Sequence, residues 1–517
     1  MDPFTKLPEI VQAELLIHID SVANILPLIQ ASPAMASIFF TCKTSILQRM
    51  LTILLTGDTN GGIIQDALAV LNFPSPDSIS SIPSIRHHIQ KWADQGFGNP
   101  FQQSDPTTIQ SLHRLFSRLT LFIEDYLAKA TDPFPPRAYM AVPGITSPGP
   151  WFKGKRINIK PVKLMALTPS ERTRLLRTFI RYELLCKIYH PRVWPWIEHS
   201  SCANQVKIMH EKFRPVDYKG LHCAYEYFRS VYGAIFAHCQ DSWLPDRPAA
   251  CSSGNRLHPD SKHGLLYPDT IYFSASDYLS DMNIQGRNLS RILPCLGLDL
   301  LVHILASLQE RKDYERYLRR WFNLLSNDLG WTYNPWMSNR HFAKHHEQSA
   351  TFDANIYHWG LGPDSPHRRF MPRPIFEHYS GYEPWSRGEQ QGRLLGIHEL
   401  QLQIYRQRAW VFFDDVRFYP DARSHFPTME DLDKQDQIAN DRLGPDYERS
   451  RRRSQKWQDY YWGRTLDNPL HEQEEEEEDW VMMEDNEGHL MRFFEKPAIG
   501  SIPSFWRHSS MNVQASS

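Results

Sequence analysis

The chain has 517 residues, enough for about two to four ordinary domains or one large body with appendages. A hydrophobic content of 41% excludes global disorder, and 57 basic against 59 acidic residues (net −2, the 23 histidines neutral) leave no overall field for nucleic acid or an anionic membrane. Seven scattered cysteines with no CxxC pair argue against a disulfide scaffold and for a reduced compartment.

No apolar run approaches the roughly 20 residues of a membrane helix. Asp2 and Glu9 stand where a secretory leader would carry basic residues. A cytoplasmic or nuclear location, with no membrane contact and no nucleic-acid partner, is therefore the expectation.

Residues 1–55 are dense in helix signals. Val11, Leu15 and Ile19 recur every four residues with Leu16 beside them, so a helix starting at Pro8 has one apolar face. Asp20-Ser21 interrupts it. Asn24 reads as the N-cap of a second helix with Pro27 in its first turn, and Ser32-Pro33 as the cap and first residue of a third. Three or four short helices are expected, in a module detachable from the rest. Residues 56–132 continue helical, with Ile109, Leu112, Leu115, Phe116, Leu119 and Ile123 as a stripe.

From 133 to 162 prolines crowd (Pro133, Pro135, Pro136, Pro143, Pro148, Pro150, Pro161), the composition of a linker or of a chain laid over a surface. A body of helices is expected over 163–420. Its clearest signal is Thr168-Pro169-Ser170-Glu171, a capping box with proline at the first helical position. Leu176, Ile180, Leu184 and Ile188 follow at four-residue steps, flanked by Leu175 and Phe179, and His190-Pro191 ends the helix. Further helices are expected around Tyr218–His238, Leu289–Leu308, Gln309–Leu325 and Arg393–Phe413.

After 420 charge takes over, with Arg449, Arg451–Arg453 and five glutamates from Glu474 to Glu478. Residues 421–517 are expected to be a charged, largely disordered tail, with Trp457, Tyr460, Tyr461 and Trp462 as an aromatic island able to dock back. The fold class expected is mainly α: a short-helix N-terminal bundle, a larger irregular α-helical body and this tail.

The stretch Leu7-Pro8, Val11, Leu15, Leu16, Ile19-Asp20, then Leu26, Leu28, Ile29 and Ala31-Ser32-Pro33 resembles an F-box in its filamentous-fungal form. Leu167–Arg172, Gly297–Leu301 and Trp410–Asp414 are similar to segments of large fungal F-box-like proteins, so the likeness runs in patches over residues 1–420. The resemblance implies that the N-terminal helices dock an apolar groove on a Skp-family adaptor, itself joined to a cullin–RING ubiquitin ligase. The body then holds an unidentified protein target. The partner-binding residues it implies are Leu7, Pro8, Val11, Leu15, Leu16, Ile19, Leu26, Leu28, Ile29 and Pro33. In such a receptor the work is proximity, with the bond-making residues on other subunits. The alternative is a non-catalytic scaffold whose F-box-like module packs internally and recruits no ligase; Glu9 and Pro27, which depart from the family pattern, favour it.

No GxSxG, P-loop, GxGxxG or HExxH motif occurs, so neither a catalytic residue nor a cofactor is expected. His341, His345, His346 and Glu347 have ligand-like spacing but lack a third partner of matched type, and no metal is expected there. His222-Cys223 and His238-Cys239 fall on an aromatic helical stripe, which reads as buried thiols and core histidines.

Overall fold

The computed structural model describes residues 2–19, 22–75, 82–103, 105–145, 149–190, 193–198, 200–211, 213, 215–239, 242, 244–245, 265–280, 289–310, 318, 387–420, 425–440, 481–484 and 490–493. These residues are mainly α-helical.

A 3-10 turn (Pro3–Lys6) leads into α1 (Glu9–Ile17), α2 (Val22–Ala31) and α3 (Pro33–Leu54). Ser32 caps α3 as the sequence indicates, its hydroxyl accepting from the Met35 N–H at 3.1 Å, with Pro33 in the first turn. The second expected cap is corrected. Asn24 and Pro27 both lie inside α2, so Pro27 leaves the carbonyl four residues back without its helical donor. Nor is α3 short, at 22 residues. As far as Ile46 it closes a small core of Leu16, Ile25, Met35, Ile38, Phe39 and Ile46. Its second half carries Leu47 and Leu51 into the core of the body. One uninterrupted helix thus supplies side chains to both cores.

The body begins with α4 (Gly62–Leu71), α5 (Ile82–Ala93), α6 (Pro100–Gln103) and α7 (Pro106–Ala130). The expected stripe on α7 from Ile109 to Ile123 is buried along its length. Next comes α9 (Pro169–Ile188), after α8 (Pro135–Tyr139) and the β1–β2 hairpin (Trp151–Phe152 with Lys155–Arg156). The capping box forms: the Thr168 hydroxyl accepts from Glu171 N–H at 3.2 Å, and the Glu171 carboxylate accepts from Thr168 N–H at 2.9 Å. Leu176, Ile180, Leu184 and Ile188 are all buried.

Within 133–145 and 149–162, read as a linker or a chain laid over a surface, many side chains are packed into the core. Pro135, Pro136, Tyr139, Met140 and Val142 are buried, and Val142 bridges to Trp151. Proline count measures how poorly a segment helps helices and says nothing about burial.

Two short helices, α10 (Trp194–Ile197) and α11 (Ser201–Glu211), lead to α12 (Pro215–His238), which packs on α9. Helix α13 (Ala275–Ser280) lies against α12 at Gly233, where a Cβ would come within 2.7 Å of the Ala275 Cα. The single helix expected over Leu289–Leu308 is broken into α14 (Leu289–Ile292), a 3-10 turn and α15 (Leu298–Glu310), with Gly297 at φ 88° between them. The buried Glu183 carboxylate accepts from Leu298 N–H at 2.8 Å and so caps α15. The helix expected at Gln309–Leu325 lies almost wholly outside the described residues.

Helix α16 (Arg387–Gln407) ends earlier than expected, at a turn with Ala409 at φ 55°. Helix α17 (Met429–Asn440) packs on it, with Phe426 and Leu432 buried. Packed structure therefore runs past the expected boundary at 420, because these two side chains find the α16 face. Of the remaining tail, only an antiparallel pair is described, β3 (Val481–Glu484) with β4 (Leu490–Phe493). The basic run, the aromatic island and the glutamate run lie outside the described residues.

Candidate docking surface

The first residues are held in place by a polar clip. The Asp2 carboxylate accepts from Phe4 N–H at 2.9 Å, from the Ser32 hydroxyl at 2.7 Å and from Ala34 N–H at 3.1 Å. These bonds, the Ser32 one foremost, hold its pKa below the ordinary carboxylate value. The buried Gln12 amide donates to the Phe4 and Leu7 carbonyls, both at 2.8 Å. Leu7-Pro8 is thereby fixed in extended backbone at the mouth of α1.

What the clip presents is apolar. Leu7 is 36% exposed, Val11 40%, Leu15 41% and Ile10 73%, and Pro8 is exposed beside them. On α1 the buried side is carried by Gln12 and Leu16, and Ile10, Val11 and Leu15 turn away from it. From α3, Phe40 stands 68% exposed next to the buried Phe39. Leu16, expected to touch a partner, is instead 0% exposed and belongs to the module's own core. Ile19, Leu28 and Ile29 are half-buried against that core, Pro33 is exposed, and the Leu26 side chain lies outside the described residues.

Ile10 and Phe40 were not singled out from the sequence. Their signal is the apolar doublet: adjacent helical residues point about 100° apart, so Ile10-Val11, Leu15-Leu16 and Phe39-Phe40 cannot all face one narrow core. Any doublet leaves one member facing another direction.

The polar groups of the body serve packing. Hydroxyls of Tyr126, Tyr139 and Tyr419 donate to the carbonyls of Arg406, Gln407 and Arg408, so three buried tyrosines satisfy acceptors at the end of α16 and in the residue just past it. Arg408, with its Nη2 on the Ile271 carbonyl at 2.6 Å, sets a buried cation at the negative end of that helix. The buried Gln407 amide donates to the Phe273 carbonyl at 2.8 Å and the Ser230 hydroxyl at 3.0 Å, and Tyr272 donates to Glu226 at 2.7 Å. At the start of α9, Arg417 makes a two-armed contact with the Glu171 carboxylate, which also accepts from Asp414 N–H at 2.8 Å.

Burial pushes the Cys223 thiol up to about 12 and the His238 imidazole down to about 3, the latter edge-on to Trp151 and Phe152. Both are uncharged at neutral pH, which suits core packing. Among the described residues no three His, Cys, Asp or Glu side chains are grouped to hold a metal ion, and no single helix is long and apolar enough to cross a membrane. The cluster from His341 to Glu347 lies outside the described residues. No family model, curated protein or solved structure matches this chain.

Proposed function

We propose that this protein is the substrate-recognition subunit of a cullin–RING ubiquitin ligase, binding a Skp-family adaptor through its N-terminal module and a protein target through its body. The observation that carries the reading is the division of labour on α1 and the residues leading into it: Leu16 is wholly buried, while Leu7, Ile10, Val11 and Leu15 are exposed. That second apolar face lies outside the closed core of the module. Water contact with clustered apolar side chains costs free energy that a partner's groove would recover. The polar clip adds to this, because it holds Leu7-Pro8 in one geometry before any partner arrives, lowering the ordering cost of association.

Binding of full-length protein to purified adaptor, followed by titration calorimetry, tests the proposal. Micromolar or tighter affinity is expected, and Val11→Asp should reduce it at least tenfold, since a charge would have to be desolvated in an apolar groove. A folded wild-type chain with no binding at tens of micromolar would overturn it.

A second reading has its own observation. Leu47 and Leu51 of α3 are core residues of the body, so the module is also an integral packing element. Under this scaffold reading no ligase is recruited, and the protein purified from its own cells carries neither adaptor nor cullin.

A further inference from the structure

We draw no further inference here: the strongest candidate, the shallow cleft between α9 and α12 lined by Arg174, Arg177, Thr178, Asp217 and Phe412, carries nothing, because Arg174 and Arg177 already face Asp414 and Asp58 and nothing in the structure shows what covers it.

Discussion

Leu15 and Leu16 are chain neighbours with opposite duties, one 41% exposed and the other 0%. Leu16→Ala empties part of a six-residue core and should cost about 2–5 kcal/mol of stability. Leu15→Ala should stay within about 0.5 kcal/mol of wild type yet weaken adaptor binding. Urea denaturation beside the binding assay separates the two, and equal destabilisation would contradict the assignment of faces. Asp2 supports a pH prediction. Its folded pKa is depressed, so its contribution is present above the unfolded carboxylate value and is lost as pH falls through the folded one. Hydrogen exchange in residues 4–7 should therefore quicken below about pH 4 relative to the intrinsic rate. Asp2→Asn should show that fast exchange already at pH 7. At this scale much was legible: the Leu-Pro opening and the four-residue spacing named most of the exposed face. Which leucine of the doublet points inward was not, because that depends on where α3 lies.

Glu171 shows an element being positioned as well as started. Thr168→Ala removes one cap and should cost about 1 kcal/mol. Glu171→Ala removes the reciprocal cap, the Arg417 contact and the acceptor of Asp414 N–H together, and should cost roughly 2–3 kcal/mol. Burial alone would raise the Glu171 pKa; the bonds from Arg417, Asp414 and Thr168 outweigh it and hold the carboxyl below its usual value. The difference between the two variants should accordingly shrink in acid, as that carboxylate protonates. Thermal unfolding of both from pH 7 to pH 3 checks this. The capping box was fully readable, since it is a four-residue code. Arg417 was not, because 246 positions separate the two residues and no local spacing records their meeting. The burial within 135–142 and the packing of α17 were missed for a related reason. Proline and charge counts describe a segment's own preferences, whereas Tyr139 and Leu432 are ordered by distant surfaces.

Over the whole molecule, the core is built from segments far apart in sequence, and pieces of it should not survive alone. The His425 ring contacts the Asp132 carbonyl at 2.9 Å, and the Gln401 amide donates to the Pro427 carbonyl at 3.0 Å. A chain ending at 420 should therefore melt several degrees below one ending at 440, in keeping with the loss of buried Phe426 and Leu432. Identical melting temperatures would show α17 to be dispensable. Deleting residues 1–55 should likewise yield an aggregating body, because α7 loses the half of α3 that covers it. Light scattering and circular dichroism of that truncation decide the point. The helical class and most helix positions were legible from periodicity. The continuity between module and body was not, since no cap or breaker interrupts Pro33–Leu54 and its two halves look alike.

That unbroken α3 makes the chain a ruler and a protractor. A straight α-helix advances about 1.5 Å and turns about 100° per residue, so whatever sits on Leu7, Val11 and Leu15 stands at one height and one azimuth over the body. One residue inserted near Ile46 would swing the N-terminal face by that angle while leaving its chemistry intact. Four inserted residues would nearly restore the bearing, about 40° on, and lift the face by about 6 Å. A function that depends only on holding a partner would tolerate both insertions; one that depends on aiming it would tolerate neither or only the second.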